Sequence, residues 1–202
     1  MTMNRATKIC MTRHGETDWN IAQILQGWID VPLNETGRRQ AYELAESLAD
    51  CGFSGIVSSP LRRAAETAEI IANVWRLPPP VLHEGLKERY FGLIQGKPKS
   101  ELSISHPGLH QEITRRNPAC HFDEGESLDH FADRVLDAVL EIGHRHAAGR
   151  ILVITHGWVM DVVTRHVMHL PRTAVLGHKR KNGESLWLEV GAGSQMAASD
   201  SG

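Results

Sequence analysis

Ile9-Cys10-Met11-Thr12-Arg13-His14-Gly15-Glu16-Thr17 is the stretch that decides the fold. Its apolar start has the length of one buried strand, and the polar Thr12-Arg13 closes that strand. A histidine between a permanently charged arginine and a glycine, at a strand end, is an unusual structural residue. It reads as a chemical group. Further along, the chain supplies three partners for it: a second histidine at His156, a second arginine at Arg62 and a carboxylate at Glu88.

Outward from this point, residues 7–12 predict a strand and 18–35 a loop with a broken helical turn, punctuated by Gln26-Gly27 and Val31-Pro32-Leu33. A helix opens at Thr36-Gly37. Its apolar face carries Ala41, Leu44, Ala45, Leu48 and Ala49, and Gly52 lies just past its end. A second buried strand covers 55–59, and Pro60 stops it. The next helix runs from Arg62 to about Trp75, with Ala65, Ala68, Ile71 and Ala72 as its stripe. Pro78-Pro79-Pro80 forces extended chain, and Val81-Leu82 fits a short edge strand. Glycine and proline recur over 84–125, and one short helix is expected around 100–106. So long an irregular stretch is usually functional and reads as a flap, about 92–124. Ser127 caps a long helix over 127–148. Ile151-Leu152-Val153-Ile154-Thr155 is the most apolar strand and reads as central. His156-Gly157 follows, then a helix over 158–169, a turn at Asn182-Gly183 and a last strand over 185–190. Residues 191–202 are small and polar, and disorder is expected there.

Strands alternating with helices predict an α/β three-layer sandwich: a mostly parallel central sheet with helices on both faces. No internal repeat is present, and residues 1–202 read as one domain. Ligands in such folds sit at the carboxyl ends of the strands. Arg13-His14, Ser59-Pro60-Leu61-Arg62 and His156-Gly157 all fall there, which joins them into one site.

Composition narrows the chemistry. A formal net charge of −2 gives no basic excess for nucleic acid. No apolar run approaches the roughly 20 residues of a membrane span. Met1 to Arg5 leave no room for a signal peptide. Cys10, Cys51 and Cys120 lack metal-ligand spacing and read as a reduced, cytoplasmic set. His144, His146, His166 and His169 lie near helix ends and read as solvent-facing rather than as metal ligands.

Imidazole is a good nucleophile at neutral pH, and a phosphohistidine is a reasonable covalent intermediate. Guanidinium groups such as Arg13 and Arg62 bind phosphate oxygens in a bidentate way. A cation at a helix start opposes the helix dipole, so Arg62 there asks for an anion. Helices opening near Arg62 and after His156-Gly157 aim backbone N–H groups at the same place. A leaving alkoxide needs a proton from a carboxylic acid, and Glu88, just ahead of the flap, is the best placed.

Thr12-Arg13-His14-Gly15-Glu16-Thr17-Asp18-Trp19-Asn20 resembles the signature of the histidine phosphatase superfamily, the phosphoglycerate-mutase-like proteins. The resemblance continues, in the family's order, through Leu33-Asn34-Glu35-Thr36-Gly37, the block from Ser58 to Ala68, Leu86-Lys87-Glu88-Arg89-Tyr90-Phe91-Gly92, Gly125-Glu126-Ser127 and Thr155-His156-Gly157. It implies that His14 is the phosphorylated nucleophile, and that Arg13, Arg62 and His156 hold the phosphoryl oxygens with Asn20 and the Gly157 backbone. By the same resemblance Glu88 is the general acid and then the base, and Gln26 and Gly27 line the entrance. It implies no metal and no cofactor.

The compact length resembles the phosphatase branch and a small phosphorylated substrate. Ile94-Gln95-Gly96 departs from the common Trp-Glu-Gly, and a glutamine here also resembles true mutases. Arg115-Arg116 would supply charge for a substrate carboxylate, and Lys179-Arg180-Lys181 forms a basic turn. The expectation is therefore a metal-independent phosphomonoester hydrolase. A 2,3-bisphosphoglycerate-dependent phosphoglycerate mutase and an α-ribazole phosphatase-like enzyme are the alternatives. A non-catalytic phosphate-binding module ranks below them, because nucleophile and acid are both present. Trp28 and Trp158 are expected near the site rim. Family members are often dimers, so a homodimer is open, while neither nucleic acid nor membrane is an expected partner.

Overall fold

The computed structural model describes residues 6–177, 179–191, 193 and 195–199. The chain forms one six-stranded sheet from β1 (Thr7–Arg13), β2 (Gly55–Ser58), β3 (Val81–Leu82), β4 (Arg150–Thr155), β5 (Ser185–Val190) and β6 (Met196–Ala198). Their order is β3-β2-β4-β1-β5-β6. The first four run parallel, while β5 and β6 are antiparallel additions at one side. β4 lies between β1 and β2, pairing Cys10 and Ile56 with Leu152. The carboxyl ends of these three strands therefore lie side by side.

Side chains along a strand alternate between faces. Ile9, Met11, Ile151 and Val153 enter one core, and Cys10, Leu152 and Ile154 enter the other. On the first face pack α6 (Leu128–Arg145) and α7 (Gly157–Val167), through residues such as Phe131, Val135, Val159 and Val163. On the second pack α2 (Glu35–Ser47) and α3 (Arg62–Trp75), through Leu44, Ala45, Ala64, Ala68, Ile71 and Ala72. This is the expected three-layer sandwich. No helix among the described residues is long and apolar enough to cross a membrane.

The loop after β1 becomes α1 (Asp18–Ile21), closed by a capping box between Thr17 and Asn20. α2 starts at Glu35, one residue before the expected Thr36, because Asn34 Oδ1 accepts the Gly37 N–H at 2.8 Å and caps the helix. The irregular stretch contains two helices rather than one, α4 (Lys99–Ser105) and α5 (Pro107–Thr114). Disorder over 191–202 does not hold where it is described: β6 pairs with β5, and Met196 is buried. Residues 192, 194 and 200–202 lie outside the described residues.

The Thr36-Gly37 turn and Gly15 meet backbone to backbone. A Cβ on Gly37 would collide with the Glu16 carbonyl, and one on Gly15 with the Gly37 carbonyl. Neither neighbour is a flexible side-chain end that can swing away. Gly37→Ala should therefore lower stability by about 1–3 kcal/mol, the usual cost of overpacking. Urea denaturation of the variant checks this, and an unchanged midpoint would mean that the two loops separate freely.

Candidate active site

His14 follows β1 directly. Its N–H donates to Thr155 O at 3.0 Å, and its carbonyl accepts from Asn182 Nδ2 at 2.7 Å, so the backbone is pinned on both sides. The ring is buried, with Nδ1 2.6 Å from Gly15 O. A carbonyl only accepts, so Nδ1 carries the proton and Nε2 keeps the lone pair. Burial first, then the charges of Arg63 and Arg13, push the His14 pKa well below 6.5. The neutral, Nε2-nucleophilic form is the resting one.

His156 is the N-cap of α7, fully buried, with its ring centroid 5.2 Å from that of His14. Its Nε2 lies 2.8 Å from Ser59 Oγ. Ser59 Oγ also accepts the Leu61 N–H at 3.3 Å. With the serine hydroxyl donating to Nε2, the His156 proton sits on Nδ1, a buried atom with no hydrogen-bond partner. Burial and Arg63, His14 and Arg13 depress the His156 pKa as well.

The second arginine is Arg63, not Arg62. Arg62 is exposed and absent from the cavity wall. Its backbone N–H is taken by Asp30 Oδ1 at 2.6 Å, so the first turn of α3 does not present that amide to a ligand. Arg63 is 1 % exposed and lines the cavity with His14. It donates to Gly27 O at 2.7 Å and Ile29 O at 3.1 Å, while its Nε has no partner. The physical reason is helical spacing. Arg63, Thr67 and Ile71 share a buried face at i, i+4 and i+8, whereas Arg62 turns outward.

Arg13 donates through Nη1 to Arg180 O at 2.6 Å, and its Nε is also without a partner. Desolvation lowers the pKa values of Arg13 and Arg63 to about 10, so both stay charged at neutral pH. Glu88 is buried on the same wall. Its Oε1 accepts the Arg89 N–H at 2.9 Å, and its Oε2 lies 3.5 Å from the Trp158 N–H. Burial raises its pKa, outweighing those hydrogen bonds and the nearby Arg116 and Arg63. A raised carboxyl in one cavity with a neutral imidazole gives the acid–nucleophile pairing that phosphoryl transfer from an alkyl phosphate to the imidazole needs.

Asn20, Gln26, Gly27 and Gly157 line the cavity. Asn20 Oδ1 accepts Thr17 N–H at 3.1 Å, and Gln26 Nε2 donates to Thr17 Oγ1 at 3.0 Å. Gly27 has φ +49°, and Gln95 occupies the space a Cβ would need. Trp158 lines the wall, and the Trp28 indole donates to Glu88 O at 2.6 Å. Among the described residues, five cations line the cavity (Arg13, Arg63, Lys99, Arg116 and Lys179) against one carboxylate, Glu88. Arg116 and Lys179 come from the two basic runs seen in the sequence. Lys99 carries no local sequence signal, since only the fold of α4 brings it to the cavity. Arg116 Nε and Nη2 sit 2.7 and 2.6 Å from Asp161 Oδ2, and its guanidinium stacks 4.9 Å from the Trp158 ring centroid. The described residues contain no group of three or more His, Cys, Asp or Glu side chains that would hold a metal.

The two neighbouring arginines separate cleanly in a binding measurement. Arg63→Ala should weaken orthophosphate binding about 10- to 100-fold, the range for losing charge-assisted hydrogen bonds. Arg62→Ala should stay within about twofold, since an exposed charge in water contributes little. Calorimetric titration reads both, and equal losses would mean that Arg62 also reaches the ligand.

Residues 9–198 match the model of the histidine phosphatase superfamily (branch 1). The chain is 38% identical over 151 residues to the uncharacterized phosphatase PhoE of Bacillus subtilis (strain 168), covering 75% of this chain and 72% of that protein. It is 36% identical over 162 residues to a metal-independent phosphoserine phosphatase of Arabidopsis thaliana, covering 79% and 68%. Among solved structures, Bacillus stearothermophilus YhfR superposes with a TM-score of 0.87 at 32% identity over 96% of both chains. The strand-end histidine, the blocks that surround it and these likenesses lead to one conclusion: this chain is an enzyme of the histidine phosphatase superfamily.

Proposed function

We propose that the chain is a metal-independent phosphomonoester hydrolase that works through a phosphohistidine on His14. The observation that carries this reading is the Nδ1 contact to Gly15 O at 2.6 Å, which leaves a neutral Nε2 lone pair in the cavity that Arg13 and Arg63 also line. Nε2 attacks phosphorus in line as the bond to the alcohol oxygen breaks. Glu88 gives its proton to that oxygen. Arg13, Arg63 and His156 Nδ1–H hold the phosphoryl oxygens, with Asn20 and the Gly157 backbone at the edge. In the second half the Glu88 carboxylate takes a proton from water, and the water oxygen attacks phosphorus. The P–N bond then breaks, releasing phosphate with neutral His14 and protonated Glu88 restored.

The surplus of cations supports a small substrate with a second anionic group. The Lys99 pKa is lowered to about 8, by desolvation and then by Lys179, Arg116 and Arg13. Lys179 is lowered by desolvation, then by Arg13 and Arg116. This mutual repulsion is relieved when an anion binds among them. A phosphoglycerate mutase would use the same cations. Against that reading, Gln95, the residue that resembles a mutase, is committed to the Trp28 N–H at 2.7 Å. The free cysteines Cys10, Cys51 and Cys120 support a reducing, cytoplasmic setting.

Phosphate release from p-nitrophenyl phosphate and 3-phosphoglycerate, with EDTA present, tests the reading. Release should resist EDTA, vanish in His14→Ala and need no 2,3-bisphosphoglycerate, with esters of uncharged alcohols the poorer substrates. Release that survives His14→Ala would sink the mechanism, and primer-dependent interconversion of phosphoglycerates without release would replace it with a mutase.

The pH profile carries a second expectation. Glu88 must be protonated for the first step, so kcat/KM on an alkyl phosphate should fall as pH rises through its elevated pKa. Glu88→Gln should remove that limb and cost about 10²- to 10⁴-fold. His14 is depressed, so no acidic loss from its protonation should occur near 6.5. A rate that falls with protonation of a histidine near 6.5 would contradict the buried, neutral nucleophile.

A further inference from the structure

Glu88 lies in a segment with no regular hydrogen-bonding ladder: residues 88–91 belong to neither helix nor strand. Its carbonyls need partners from elsewhere. Glu88 O accepts the Trp28 indole N–H, and one side chain of α6 meets three carbonyls in and just before the segment. Arg134 Nη1 donates to Gly85 O at 2.9 Å and Lys87 O at 3.1 Å, and Nη2 reaches Glu88 O at 3.4 Å. Its Nε and Nη2 also form a two-pronged pair with Glu126 Oε1 and Oε2, both at 2.8 Å. An arginine has five N–H donors, and here all five have acceptors.

Glu126 completes the clamp. Its Oε2 accepts the Tyr90 N–H at 2.8 Å, and its own N–H donates to Tyr90 O at 2.9 Å. The segment is thus gripped on both sides of Glu88. The pair is shielded, with side-chain exposures of 17% for Arg134 and 9% for Glu126. Arg134 also stacks 5.2 Å from the Phe131 ring centroid, and Phe131 is a core residue of α6. Glu126 stands next to Ser127, whose side chain caps α6 through His130 N–H at 3.2 Å. A rigid helix anchored in the core therefore sets the position of an irregular segment. Neither Arg134 nor Glu126 lines the cavity.

The geometry points to Arg134, locked by Glu126, as the positioning residue for the Glu88 carboxyl, so that proton delivery to the leaving oxygen depends on a side chain that never meets the substrate. This rests on the reading of Glu88 as general acid. Simple structural support would affect all substrates alike. A positioning role affects only leaving groups that need a proton. Lysine cannot substitute, since a point ammonium lacks the planar fork that holds a carboxylate and three carbonyls together.

The test compares kcat/KM, which reports phosphorylation of the enzyme, for two leaving groups. p-Nitrophenolate departs as a stable anion, whereas the alcohol of 3-phosphoglycerate or phosphoserine must be protonated. In Arg134→Lys, kcat/KM on the better of those two alkyl phosphates should fall on the order of 10²-fold, the scale of general acid catalysis. On p-nitrophenyl phosphate it should stay within about threefold. Glu126→Gln, which keeps the shape and removes the charge, should show the same selective loss and carries the test if Arg134→Lys does not fold. Glu88→Gln run alongside separates the two claims. If Glu88→Gln shows the leaving-group pattern and the clamp variants lose both substrates equally or neither, the positioning role is overturned. If Glu88→Gln itself shows no such pattern, the acid assignment falls and takes the positioning role with it.

Discussion

The contact between His14 Nδ1 and the carbonyl of Gly15 ties backbone shape to chemical identity. It sets the tautomer, the ring orientation and the free nitrogen in one interaction. It persists only if the chain turns sharply after β1. That turn is held by Gly15 N–H donating to Thr67 Oγ1 at 3.1 Å, and Thr67 Oγ1 donating to Arg63 O at 2.7 Å. The same relay runs into the helix that carries the second phosphate-binding candidate. Nucleophile and arginine are thereby placed relative to each other by backbone atoms on two different elements. The opposite side of the turn rests on Gly37, where only a residue without a side chain fits.

A second constraint is electrostatic. The buried Arg13 and Arg63 donate to carbonyl oxygens rather than carboxylates, Arg63 to Gly27 and Ile29 and Arg13 to Arg180, and each keeps an unpartnered Nε. Carbonyl dipoles relieve the desolvation cost without cancelling the charge. The positive potential stays available to an anion and adds to burial, the larger cause, in lowering the pKa of both histidines. Arg116 is treated differently. Asp161 neutralises it in a buried pair against the Trp158 ring, and Arg116 itself adopts φ +54°. That left-handed residue ends α5, with the Arg116 N–H donating to Ile113 O at 3.0 Å and the Asn117 N–H to Glu112 O at 2.9 Å.

Much of this was readable from the chain. The apolar runs at 9–11 and 151–154 sit at the middle of a sheet because nothing polar interrupts them, and their strand ends carry the histidines. Glu88 and the glycine-marked loops followed from residue type and place. The choice between Arg62 and Arg63 did not, although the signal was present. The buried stripe of α3 is Ala64, Thr67, Ala68, Ile71 and Ala72, with Ala65 only partly covered. A stripe begun at Ala65 rotates the helix and brings out the wrong arginine. Lys99 and the Arg134 clamp depend on contacts between distant segments, for which local sequence holds no signal. β6 was missed for a related reason. Met196-Ala197-Ala198 has little strand propensity and forms by pairing with β5.

The most direct test of the central claim is the site of phosphorylation itself. Protein labelled with ¹⁵N at histidine can be phosphorylated with a rapidly leaving substrate, quenched under alkaline conditions and examined by ³¹P–¹⁵N NMR. One phosphohistidine is expected, at His14, with phosphorus on Nε2 and the proton retained on Nδ1. Phosphorus on Nδ1, or on His156, would contradict it, because the hydrogen bond to Gly15 would then not be what selects the nucleophilic atom.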